Sequence, residues 1–260
     1  MKHEQRPRLQ RRGIYLLPNL FTTLALFFGF YAIVAAIDGR YNQACLTIFI
    51  AMICDSLDGR IARMTNTTSP FGAEYDSLSD LVTFGLAPAL LTYKWSLHSL
   101  GKVGWLIAFV YVAATALRLA RFNTLLAVSS KKYFKGMPCP AAAAVLASFI
   151  WAIDDTWNID GTHLTYLLAV ITVGAAAVMV SNVNFYSFKD LDLRGRVPFV
   201  MILIFILICV AIAVDPPPVL FAAFMLYMLS GPVGALWRLK NKKKARIPHP
   251  SLSRKRERGN

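Results

Sequence analysis

Long apolar runs separated by short polar stretches recur along this chain. A helix needs about 20 mostly apolar residues to cross the hydrocarbon core of a membrane. The pattern predicts eight such helices, at about 14–37, 43–64, 74–97, 103–126, 140–153, 163–183, 197–214 and 217–239. The fifth, "PAAAAVLASFIWAI", is short and rich in alanine. No internal repeat and no soluble domain interrupts the series. The expected fold is all-α, a polytopic helical membrane protein with about eight transmembrane helices.

Composition strengthens this reading. Of 260 residues 56% are hydrophobic, only 16% are charged, and the mean hydropathy is +0.49. An ordinary soluble domain is less apolar than that. The formal net charge of +14 raises nucleic acid as a partner, but no helix carries a basic face and no nucleic-acid motif is present. The basic residues instead cluster at both ends and in alternate loops. With the N-terminus placed inside the cell, all 28 except Arg40, Lys94 and Lys102 fall on the inner side. The outer connections carry Asp38, Asp154, Asp155, Asp160 and Asp215. This is the positive-inside pattern, and it predicts an inner-membrane protein with both termini cytoplasmic.

The division that follows is a basic N-terminus at 1–13, a transmembrane core at 14–196, two additional helices at 197–239 and a basic tail at 240–260. The first apolar run is long enough to span and lacks a small-residue cleavage site, so it is read as a retained helix. The tail is expected to lack a fold of its own and either to touch anionic headgroups or to serve as a simple topology anchor. Cys45, Cys54, Cys139 and Cys209 stand singly, without metal-ligand spacing, and read as small buried hydrophobes.

One segment breaks the apolar pattern. "CDSLDGRIARMTNTTSPFGAEYDSLSD", Cys54 to Asp80, holds Asp55, Asp58, Glu74, Asp76 and Asp80. Asp55 and Asp58 are spaced i,i+3, and Asp76 and Asp80 i,i+4, so each pair shares a helix face. Two antiparallel neighbours joined by a short loop bring four carboxylates together at the inner interface. Such a group repels itself unless a hard divalent cation is present, and magnesium or manganese suits oxygen ligands that face phosphates. Acids snorkelling into headgroup water are the bland alternative, which four at paired spacing disfavour. Gly59 and Ala62 leave room for a phosphate to approach the backbone, although such residues also serve helix packing. Arg63 is placed to neutralise a phosphate oxygen. Gly72 stands where the loop re-enters a helix, and Ser69 is placed to cap it or to bind a ligand.

Asp55-x-x-Asp58-Gly59-x-x-Ala62-Arg63, eight residues, then Gly72-x-x-x-Asp76-x-x-x-Asp80 resembles the full signature of the CDP-alcohol phosphatidyltransferases. The resemblance implies a membrane-helical enzyme, often a homodimer, that moves a phosphatidyl or related group from a CDP-linked donor to an alcohol and releases CMP. It implies a two-metal site of Mg2+ or Mn2+ on Asp55, Asp58, Asp76 and Asp80, with Asp80 as general base. It also implies contacts to the CDP-lipid from Gly59, Ala62, Arg63, Ser69 and Gly72. "PNLFTT" at 18–23 is similar to the family's Pro-Asn-x-x-Thr start of the first helix, which adds Asn19 and Thr22; a plain helix start explains those two nearly as well. Direct attack on the lipid-linked phosphorus, without a phosphoenzyme, is expected.

The acceptor is read from other stretches. "RLARFN" at 118–123, "KGMPCPAAAA" at 135–144 and "VSNVNFYSFKD" at 180–190 resemble the branch that uses CDP-diacylglycerol and L-serine. Arg118 and Arg121 suit the carboxylate of serine, and Asn123 could orient the amino acid. Basic residues at a helix end also serve topology alone. Glycerol 3-phosphate, inositol phosphate and choline remain as other acceptors. A transporter with intramembrane acids and a prenyl-diphosphate enzyme are the readings of other kinds.

Overall fold

A computed structural model describes residues 12–65, 69–126, 136–157, 159–183 and 199–245. Among them are nine α-helices: α1 (Arg12–Ile37), α2 (Tyr41–Met64), α3 (Pro70–Asp80), α4 (Ala87–Trp95), α5 (Lys102–Leu126), α6 (Cys139–Trp151), α7 (Thr165–Val180), α8 (Phe199–Val214) and α9 (Pro216–Ala245). No strand occurs among the described residues. A π-helical turn, Leu81–Leu86, joins α3 to α4 without a break, so the nine helices form eight rods. The expected eight-helix membrane protein is therefore present.

Five of the rods are long and apolar enough to cross a membrane by length and composition: Pro18–Ile37, Lys102–Thr124, Cys139–Thr156, Gly161–Val180 and Pro216–Ala235. The other three depart for identifiable reasons. The last turns of α2 carry Asp55, Asp58, Arg60 and Arg63. The α3–α4 rod starts with Glu74, Asp76 and Asp80. Helix α8 has only 16 residues. The alanine-rich fifth segment is longer than its expected bounds, because a second π turn, Ala152–Thr156, extends α6. Helix α9 runs on through the basic stretch to Ala245 rather than stopping at Leu239. The predicted basic residues at 2–11, 131–135, 189–196 and 246–258 lie outside the described residues.

Helix α6 is the centre of the molecule. Every residue from Ala141 to Ile150 is buried, and α2, α4, α7 and α9 all pack against it. Alanine allows that: with four neighbours around one helix, small side chains let the backbones approach. Its start is pinned to the end of α7, where Gly136 N–H donates to Val183 O at 2.9 Å and Met137 N–H to Val178 O at 3.3 Å. Gly136 has φ of 88°, and a Cβ there would sit 2.3 Å from Met179 O, so only glycine fits. Helices α1 and α2 form a hairpin, and the α3–α4 rod crosses α1 at Gly29. A Cβ on Gly29 would lie 2.8 Å from the Thr83 backbone.

The π turn has one local contributor and one tertiary contributor. Pro88 lacks an N–H, so Phe84 O loses its i+4 helical donor. The hydroxyl of buried Tyr111 on α5 donates to Phe84 O instead, at 3.1 Å. Thr83 Oγ1 donates to Ala25 O at 3.4 Å and Ser79 Oγ to Thr22 O at 3.2 Å, which fixes the rod on α1. The segment expected as one regular helix at 74–97 is thus two helices with a wide turn between them, immediately after Asp80.

Candidate active site

Helices α1, α2 and α3 converge at one end of the bundle, with the start of α6 and the end of α5 beside them. Asp55 on α2 and Asp76 and Asp80 on α3 each present a carboxylate oxygen, and these atoms lie within 4.8 Å of one another. Asp55 and Asp80 approach to hydrogen-bond distance. The expected convergence of the two helix faces occurs, but Asp58 takes a separate position. It is 5% exposed, and its Oδ2 accepts from Thr22 Oγ1 at 2.7 Å. It remains within electrostatic reach of Asp55, Asp76 and Asp80.

No lysine or arginine pairs with these acids among the described residues, where the ion pair present is Asp38–Arg40 at the opposite end. Asp76 Oδ1 is buried without a hydrogen-bond partner among the described residues. A buried acceptor left unmade costs about 1–3 kcal/mol, more when charged. Three close carboxylates, one with an orphaned oxygen, fit a hard divalent cation. The donors are all oxygen, with no imidazole among them, which suits a hard cation.

The surrounding residues divide by what they touch. Ser69 is the N-cap of α3, its Oγ accepting from Gly72 N–H at 3.0 Å, with Pro70 in the first turn. A Cβ on Gly72 would meet Ser69 Oγ at 3.2 Å and Asn19 Oδ1 at 3.5 Å, so Gly72 lets α1 and α3 meet there. Among the described residues nothing lies within 4 Å of where a Gly59 Cβ would stand, so they leave the α2 surface beside Asp55 and Asp58 open. Ala62 is half-buried and Arg63 exposed in the last turn of α2.

On α5, Arg118 Nη1 donates to Cys139 Sγ at 3.0 Å, and its buried Nε has no partner among the described residues. Arg121 donates to Val180 O at 3.3 Å and to Asn182 Oδ1, which holds the end of α7. Asn123 Nδ2 donates to Ser77 Oγ at 3.1 Å and Glu74 Oε2 at 3.4 Å on α3.

Several contributors went unread in the sequence. Thr23 Oγ1 and Tyr75 Oη lie 2.9 Å apart and tie α1 to α3. Ser79 anchors the residue beside Asp80 to α1. Ser77 and Glu74 join α3 to α5. The i,i+4 spacing of Ser79 and Thr83 was a usable signal for a polar stripe. Pairing Thr23 with Tyr75, 52 residues away, had none.

A sequence profile of the family described as CDP-alcohol phosphatidyltransferase matches residues 15–183. A Helicobacter pylori (strain J99) protein named CDP-diacylglycerol–serine O-phosphatidyltransferase is 36% identical over 216 residues, covering 82% of this chain and 90% of its own. A Bacillus subtilis (strain 168) protein of that name is 36% identical over 173 residues, covering 66% and 91%. An archaetidylserine synthase of Methanothermobacter thermautotrophicus is 34% identical over 171 residues, covering 65% and 69%.

Proposed function

Because the chain belongs to the CDP-alcohol phosphatidyltransferase family, we propose that it transfers the phosphatidyl group of CDP-diacylglycerol to L-serine and releases CMP. The observation that carries this reading is the gathering of Asp55, Asp76 and Asp80 on the family's signature. The names of its relatives support serine as the acceptor. The transporter and prenyl-diphosphate readings have no support from that family.

Asp55, Asp58, Asp76 and Asp80 would hold the divalent ions, Mg2+ or Mn2+ at a two-metal site. Bound there, the metal neutralises diphosphate charge and stabilises the CMP leaving group. The protein's own groups do the rest. Thr22 fixes Asp58 in place through the 2.7 Å hydrogen bond. The open surface at Gly59 admits the diphosphate, with Ala62, Gly72 and Asn19 beside it, Ser69 shaping the start of α3, and Arg63 offering a cation to a phosphate oxygen. The carboxylate of Asp80 takes the proton from the serine hydroxyl as its oxygen attacks the lipid-linked phosphorus. Arg118, Arg121 and Asn123 line the acceptor side.

The match at residues 15–183 supports a catalytic core within 14–196, with 197–239 as added helices. Charge asymmetry supports an inner-membrane location with site and termini cytoplasmic. The family resemblance supports a homodimer.

The test is CMP release by purified protein in mixed micelles of CDP-diacylglycerol. Divalent metal is supplied, and L-serine, glycerol 3-phosphate, inositol phosphate and choline are run in parallel. Metal-dependent release with serine alone is expected. Release with another alcohol and not serine overturns the acceptor, and no release with any overturns the activity.

A further inference from the structure

We propose that Glu74 recognises the amino group of the acceptor, and that with Arg118 it forms a two-pole clamp for a zwitterionic amino acid. This rests on the serine reading and deepens it. Serine differs from a simple alcohol by carrying an ammonium and a carboxylate beside its hydroxymethyl group. A site that selects it needs an opposite charge for each.

The positive pole is Arg118. Its Nε is buried and unpartnered, and no carboxylate pairs with it among the described residues. Among the described residues its Nη1 meets the Cys139 thiol at 3.0 Å, a weak acceptor. A carboxylate ligand would supply the missing acceptor. Cys139 lies within electrostatic reach of both Arg118 and Asp80, which sets this pole on the side of the acid cluster. Arg121 is different, since its guanidinium is committed to Val180 and Asn182 at the end of α7. It acts as a positioning residue.

The negative pole is Glu74. It is exposed, and no lysine or arginine pairs with it among the described residues. Asn123 and Ser77 bond each other at 3.1 Å, and the reach from Asn123 to Glu74 is the longer, at 3.4 Å. The tie between α3 and α5 thus stands on Ser77 without Glu74, leaving the carboxylate available. Ser77 and Asp80 are one helical turn apart, about 5–6 Å. An ammonium held by Glu74 and Ser77 therefore puts the neighbouring hydroxyl toward Asp80.

The test uses full-length protein in mixed micelles and separates KM from kcat. Glu74→Gln keeps the size and the Asn123 hydrogen bond but removes the charge. We expect the KM for serine to rise about 10- to 100-fold, as for loss of one charged hydrogen bond, with kcat within a few-fold. The KM for CDP-diacylglycerol should hold, and Glu74→Asp should recover part of the loss. Should Glu74→Gln not fold, wild-type protein reads the same pole with 3-hydroxypropionate, which is serine without its amino group: its KM should lie about 10- to 100-fold above that for serine. A serine KM within twofold of wild type, or a serine KM that moves together with that for CDP-diacylglycerol, overturns the clamp. Wild-type protein that releases no CMP with serine overturns the serine reading and the clamp with it.

Discussion

The two ends of the bundle treat their carboxylates in opposite ways. At the end away from the site each acid has a donor. Asp38 pairs with Arg40 at 2.7 Å, and Asp154 accepts from Trp95 Nε1 at 3.1 Å. Asp155 accepts from Asn42 at 3.3 Å, Asp160 from Thr162 N–H at 3.0 Å and Asp215 from Thr156 at 3.3 Å. At the site, Asp55, Asp76 and Asp80 face one another instead, and Asp76 keeps a buried oxygen with no donor. The first group closes turns at Asp38 and Asp160 and ties distant segments together at Asp154, Asp155 and Asp215. The second leaves a charge for something else to balance. An acid's partner, rather than its presence near a membrane, separates architecture from chemistry.

The comparison breaks most visibly at Asp80. Asp80→Asn is expected to lower turnover about 100- to 10,000-fold, the usual contribution of a positioned general base, while CDP-diacylglycerol binding survives. Near-native CMP release would remove Asp80 from the chemistry.

Asp58 sharpens the contrast, because it is the site acid that does have a protein donor. Thr22→Val removes that hydroxyl and leaves a buried carboxylate oxygen short of a partner, a cost of about 1–3 kcal/mol. Turnover should fall about 10-fold or more, and Thr22→Ser should restore most of it. Loss in the Ser variant with the Val variant near native would mean that packing of the methyl group, not the hydrogen bond to Asp58, is what matters.

The smallest effect belongs to the far end. Asp154→Asn keeps an acceptor for Trp95, so turnover should stay within twofold and the thermal midpoint nearly unchanged. A large loss of activity there would erase the distinction between the ends.

Much of this arrangement was legible in the residues. The i,i+3 and i,i+4 acids foretold the meeting of α2 and α3, because helical spacing fixes which side chains share a face. The eight rods followed from apolar run length. Other features depend on contacts between distant segments. Nothing near Asp58 in sequence says that Thr22 will draw it away from the other three. Nothing near Arg121 says that Val180 and Asn182 will occupy it. Pro88 was a visible signal that a carbonyl four residues earlier would be freed. That Tyr111 would satisfy it, and that the rod would widen rather than kink, came from tertiary packing.

The π turn at Leu81–Leu86 carries a further consequence, for changes in chain length. A wide turn of this kind is one added residue within an α-helix, and each residue rotates the helix by about 100°. The face that presents Asp76 and Asp80 is thereby set independently of the face that buries Leu91 and Trp95 in the core. Losing one residue from this turn would restore a regular helix and swing one face about 100° against the other. A one-residue deletion here therefore forces a choice between the core and the acids.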